Sequence, residues 1–208
     1  MLGALDALPE DRRPAWDFFV APNGFRDKAG LKAIAHDSVR GAFLGFPYYR
    51  SDTGADAVIA DYDCFILVGA HHPVGAIAGM LKQEMSDRFR AAALAEICQT
   101  TRLYRFAQAI RSTSTARILL TTRLAPTDAN RADVADIART AAEVAAFWAG
   151  HGVELIAQPQ ATLTPEGLTR VESLIGVENH HFTLDASTLA LETLRAALAV
   201  PRAVRSSG

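Results

Sequence analysis

Short continuous apolar runs alternate along this chain with longer stretches of helical period. The clearest run is Asp63-Cys64-Phe65-Ile66-Leu67-Val68-Gly69. After Asp63 it has no polar position on either side of its alternation, so it reads as a strand buried on both faces and closed by a glycine. Residues 117–122 and 153–157 repeat the pattern and are followed by Pro126 and Pro159. Residues 16–21 form an aromatic and β-branched run stopped by Pro22-Asn23-Gly24, a further buried strand, and residues 30–35 alternate weakly into His36-Asp37-Ser38 as a less regular one. Residues 41–56 hold glycines, Pro47 and the pair Tyr48-Tyr49 without a sustained period, which predicts loop.

The helical pieces fall between these runs. Leu2, Leu5 and Leu8 suggest a short helix ended by Pro9. Residues 76–110 keep a helical period with a break at Ser86, after which Asp87 opens a second helix. Thr127-Asp128 caps an alanine-rich helix reaching Ala149, where Gly150-His151-Gly152 stops it. Thr164-Pro165-Glu166 reads as a cap followed by proline at the first helical position, opening a short helix, and residues 185–200 form a last amphipathic helix. Strands separated by such helices predict an α/β fold: a three-layer sandwich with a parallel sheet of about four or five strands, flavodoxin-like in its winding.

Length and composition narrow the picture. At 208 residues, 50% hydrophobic and 21% charged, the chain fits one folded domain over 1–208, with 1–15 as a helical lead-in and 203–208 as a polar tail. A net charge of -2 gives no electrostatic case for nucleic acid or an anionic membrane. No stretch is apolar for the length of a membrane span and no signal segment is visible, so the expected address is cytoplasmic. Cys64 and Cys98 fall inside apolar periodic segments, as buried core residues do, which suits a reducing compartment. There is no glycine-rich phosphate loop, and no cofactor is expected.

In a parallel sheet the loops at the carboxyl ends of the strands form the site. The polar residues predicted there are His36, Asp37, Ser38, His71, His72, Arg123, Asp128, Gln158, Gln160, Glu178 and His181. Within Val177-Glu178-Asn179-His180-His181-Phe182-Thr183, the carboxylate stands three residues ahead of His181. That spacing lets Glu178 reach the imidazole, fix its tautomer and raise its basicity, as a catalytic triad requires. An ordinary polar loop with two histidines has the same composition. Ser38, in a turn after a strand, completes the chain order Ser38, Glu178, His181 of an acyl-transfer triad, although Asp37-Ser38 is also a common turn pair.

Taken together these residues resemble the SGNH or GDSL hydrolase family. Its members have a Gly-Asp-Ser block after the first strand, a glycine after the second and an Asp-x-x-His block before the last helix. Here Glu178-Asn179-His180-His181 matches the last block with Glu for Asp, and Gly69 is the candidate oxyanion glycine. His36 stands where the family has glycine in the first block, and no asparagine lies between Gly69 and Asn130. The resemblance implies hydrolysis or transfer of an ester-linked acyl group on a small molecule, glycan or lipid-like substrate. Ser38 would be the nucleophile, His181 the base, Glu178 its orienting acid, and His71 and His72 the polar lining beside Gly69.

Two alternatives stay open on the same residues. Met1-Leu2-Gly3-Ala4-Leu5 resembles the helix that follows the nucleophile block in some members of that family. The block would then lie upstream of residue 1, leaving a catalytically incomplete domain that binds a ligand or partner. Alternatively His71, His72 and His181, with Asp37 or Asp128, would form a mixed nitrogen and oxygen metal site for metal-assisted hydrolysis. Tyr48-Tyr49-Arg50 would cover the core or stack on a sugar, and Arg102 and Arg105 would be solvated.

Overall fold

A computed structural model describes residues 35–47, 54–68, 74–81, 85–121, 125, 127, 134–176 and 181–199. The predicted helix at 1–8, the strand at 16–21, the cluster Tyr48-Tyr49-Arg50, and Gly69, His71, His72, Arg123, Asp128 and Glu178 lie outside the described residues.

The described chain is mixed α/β, with a parallel three-stranded sheet and an antiparallel three-stranded sheet. The parallel sheet has the order β4 (Cys64–Val68), β5 (Arg117–Thr121), β6 (Val153–Ile156). Between β4 and β5 run α1 (Val74–Met80), α2 (Asp87–Gln99) and α3 (Arg102–Thr113); α4 (Val134–Gly150) joins β5 to β6. The last helix is α5 (Leu184–Ala199). The predicted strands at 117–122 and 153–157 and the helix at 185–200 thus form within a residue or two of their expected bounds. The long helical stretch breaks at the expected Ser86, whose hydroxyl accepts from Phe89 N–H. It breaks again at Thr101, whose hydroxyl accepts from Tyr104 N–H and restarts the helix as α3.

Paired residues in a parallel ladder share a face. Ile118 pairs with Phe65 and Val153, and Leu120 with Leu67 and Leu155. All six join one core with Ile77, Leu94, Cys98, Leu103, Ala107, Ile110, Val144 and Trp148 from the four helices α1–α4. On the other face lie Arg117, Leu119 and Glu154, and Arg117 Nη1 donates to the Ala197 carbonyl of α5 at 2.8 Å. Helices therefore cover both faces.

Three expectations are corrected. The stretch 41–56, predicted as loop, contains β2 (Ala42–Pro47) and the start of β3 (Gly54–Val58); β2 pairs antiparallel with β3 on one side and with β1 (Ala35–Asp37) on the other. These strands are set by cross-strand pairing and by Gly41 at φ +61°, neither of which gives a local hydrophobic period. Second, β4 is not buried on both faces: it is an edge of the described sheet, its residues are half-buried, and Val68 is exposed. Cys64 is likewise half-buried, while Cys98 is in the core. Third, no helix opens at Thr164-Pro165-Glu166. Thr164 N–H donates to Leu168 O and Gly167 N–H to Thr164 O, a tight turn with Gly167 at φ +81° between two single 3-10 turns. A glycine two residues after the proline favours this left-handed closure over helix propagation.

Candidate functional site

The carboxyl edge of the parallel sheet is built from an irregular segment. After β6 the chain runs through 3-10 turns at Gln160–Thr162 and Val171–Ser173 before entering α5. Isolated bridges tie it down: Thr169 pairs with Thr127 and with Leu163, and Leu174 pairs with Phe182. Around that last bridge Ile175 N–H donates to His181 O and Thr183 N–H to Ser173 O, each at 2.9 Å. Thr183 Oγ1 then accepts from Ala186 N–H at 3.3 Å, capping the first turn of α5. His181 is thus an exposed residue on a main chain pinned to residues 173–175. Two residues separate it from α5, whose far end meets Arg117 at the amino edge of β5. Sixteen helical residues span about 24 Å, which sets His181 a helix length away from that amino edge, on the segment that follows the carboxyl end of β6.

Ser38 is placed elsewhere. It opens the exposed turn between β1 and β2, where the Asp37 carboxylate accepts from Val39 and Arg40 N–H at 3.0 Å each. This is an Asx turn, the local role expected of an Asp-Ser turn pair. A Cβ at Gly41 would lie 3.6 Å from Thr113 Cγ2, which puts the hairpin tip on the last residue of α3, just ahead of β5. The tip therefore belongs to the amino edge. The Phe43 ring beside it packs on Phe106, with centroids 5.0 Å apart, on the sheet face opposite α5. Ser38 and His181 are brought to opposite ends of the sheet, and the hairpin holding His36, Asp37 and Ser38 is not a carboxyl-edge loop.

Of the other residues expected at that edge, Gln158 is there, half-buried and fully engaged. Its Nε2 donates to Thr162 Oγ1 at 3.0 Å and Thr169 Oγ1 at 3.1 Å, and its Oε1 accepts from Ala125 N–H at 2.9 Å. Gln160 is exposed in the following 3-10 turn. Among the described residues, no group of three or more His, Cys, Asp or Glu is placed to hold a metal ion. Neither thiol is activated. Burial pushes Cys98 up to about 11, and burial also raises Cys64 despite the lowering influence of Arg117, so both are protonated at neutral pH.

An ion-pair cluster that no local sequence pattern marks lies on the helical side. Arg90, only 6% exposed, donates from Nε to Glu143 at 2.9 Å, from Nη1 to Leu81 O at 2.8 Å and from Nη2 to Thr140 Oγ1 at 3.0 Å. Arg139 extends it, bonding Glu143 and Asp87 at 3.0 Å each. The Arg90 hydrogen bond, ahead of that from Arg139, holds the Glu143 carboxyl below the ordinary carboxylate range against the opposing effect of burial. The cluster rims a groove between α2 and α4 floored by Ala91, Leu94, Ala146 and Phe147. Every charge there has a partner, so the arrangement is a structural clamp. Arg90, at the end of the first turn of α2, gave no local signal, because its carboxylate lies 53 positions away.

No helix among the described residues is long and apolar enough to cross a membrane. No protein-family model, no curated protein and no solved structure matches the chain.

Proposed function

We propose that this chain is an SGNH-like α/β domain that binds an ester or acylated small ligand, glycan or lipid-like, at the carboxyl edge of its parallel sheet. His181 is the central polar group of that site, Glu178 its orienting carboxylate, and Ser38 takes no part. The observation that supports this reading is the separation of the two residues. His181 is exposed on a pinned main chain beside the strand ends where α/β sheets bind ligands, whereas Ser38 serves an Asx turn at the other end. An imidazole so placed hydrogen-bonds a ligand carbonyl or takes a proton from a bound hydroxyl, but a base needs its nucleophile within hydrogen-bond reach to drive acyl transfer. The reading is thus the catalytically incomplete form of the SGNH resemblance, and it keeps the winding of a larger parallel sheet as part of the proposal.

The test compares wild type, Ser38→Ala and His181→Ala, with and without EDTA. p-Nitrophenyl acetate reports turnover, and butyrate titrated against the amide signals of Ile175 and Thr183 reports binding. Ser38→Ala is expected to leave both readouts unchanged, while His181→Ala weakens butyrate binding at least about tenfold, the effect of losing one hydrogen bond to a charged group. Turnover abolished by Ser38→Ala would restore that serine as nucleophile and overturn the proposal. Turnover abolished by EDTA would replace it with metal-assisted hydrolysis, and the absence of any butyrate response in wild type would remove the site.

A further inference from the structure

Among its described residues, the segment between β6 and α5 that carries His181 has no regular secondary structure apart from two single 3-10 turns. What fixes it starts at Gln158. The two hydrogens of the Gln158 amide go to Thr162 and Thr169, and its oxygen takes the Ala125 N–H. Both threonines are 1% exposed, and each spends its single hydroxyl proton elsewhere: Thr162 on Pro159 O at 2.7 Å, Thr169 on Ala125 O at 2.5 Å. A 3.4 Å approach of Thr169 Oγ1 to Gln158 Oε1 competes for that same proton. Both hydroxyls are therefore left as acceptors, so the position demands two donors and one acceptor in one planar group. Only an amide supplies them.

From Thr169 the constraint runs on without a gap. Arg170 N–H donates to Thr162 O and its Nε to Leu163 O, the 3-10 turn at Val171–Ser173 follows at once, and the next residues form the bridge around Leu174 and Phe182. That bridge holds His181 O and Thr183 N–H. We infer that Gln158 is the positioning residue of the carboxyl-edge site: it locks the segment after β5 to the segment after β6 and, through Thr169 to Leu174, sets where His181 stands. The inference rests on the proposed function only for calling His181 the central group.

The experiment is amide hydrogen exchange, with the His181 ring Cε1–H signal read alongside, on the full chain as wild type, Gln158→Leu and Gln158→Glu. In Gln158→Leu the amides of Ile175 and Thr183 should exchange at least about tenfold faster while Leu119 and Leu120 keep their rates, the pattern of a local opening. The His181 signal should move with them. Gln158→Glu should be worse than leucine at neutral pH, since a carboxylate faces two acceptor oxygens, and should improve on acidification, when one donor returns. Unchanged exchange at Ile175 and Thr183 would confine Gln158 to its own turn. Equal acceleration at Leu119 would reduce it to general stability, and either result overturns the inference. Thr169→Val, which removes one acceptor, keeps the test available if Gln158→Leu does not fold. None of these readouts uses a ligand, so the inference and the ester-binding proposal fail separately.

Discussion

The parallel and antiparallel sheets close over one core but contribute to it unequally. From β5, Ile118 and Leu120 are fully buried against the helices and Leu119 against the opposite layer, whereas the antiparallel sheet enters the same core through Phe43 and Ala57. One sheet is the middle layer of the fold; the other covers its side. The candidate chemistry divides along the same line. His181 stands off the end of the middle layer and Ser38 on the tip of the cover, so a fold in which both sheets share one core still keeps the two side chains apart. Complementary residue types in a plausible chain order do not make a site unless the connections lead to one edge.

The largest expected effect probes the middle layer. Leu120→Ala removes a fully buried side chain from the central strand, where neighbours on both sides are fixed by the ladder and cannot collapse into the space. It should cost about 3 kcal/mol, seen as a lowered denaturation midpoint at unchanged slope. A loss below about 1 kcal/mol would place the site among surface positions and would break the contrast between the layers.

Next is the clamp that holds α2 to α4 above that layer. Glu143→Gln keeps the shape but leaves the Arg90 guanidinium, inside the protein, without its carboxylate. The expected cost is about 2 kcal/mol at pH 7. Because the folded state holds this carboxyl below its ordinary value of 4.5, its stabilisation is complete above that value and is lost as pH falls through the lower folded one. The stability gap between wild type and Glu143→Gln should therefore stay constant from pH 7 to about 5 and narrow below it. A gap that persists undiminished into strong acid would mean that charge is not what Glu143 contributes.

The same contrast explains what could be read in advance. Ile118, Leu119 and Leu120 announce a buried strand in three consecutive letters, and Ser86 announces a helix start, because both signals are local. Thr101 ends one helix and starts another through a hydroxyl hydrogen bond, a signal that the continuing helical period around it masked. Phe43 and Ala57, by contrast, are inward-facing only once β2 has found β3. Gln158 could be placed at the carboxyl edge from its position after a strand, but its role depends on Ala125 and Thr169, 33 and 11 residues away. His181 was legible as a candidate base from its spacing to Glu178. Its distance from Ser38 was not, since it follows from where the hairpin packs.

The smallest effect tests that packing at the hairpin tip. Gly41 has φ +61°, a conformation that costs an L-residue with a Cβ roughly 1 kcal/mol, while the Cβ itself would meet Thr113 Cγ2 at an ordinary 3.6 Å. Gly41→Ala should therefore lose about 1 kcal/mol through the backbone alone, and Gly41→Asn less, because asparagine tolerates the left-handed region better. A loss well beyond that in both variants would mean that the tip is pressed harder against α3 than a 3.6 Å contact implies. No loss in either would mean that the turn does not hold this conformation, and with it would go the reason for placing Ser38 at the amino edge. Since Ile59 N–H also donates to Gly41 O, the exchange rate of the Ile59 amide in Gly41→Ala separates the outcomes. Faster exchange there with Leu120 unchanged localises the strain to the tip, as the division between cover and middle layer requires.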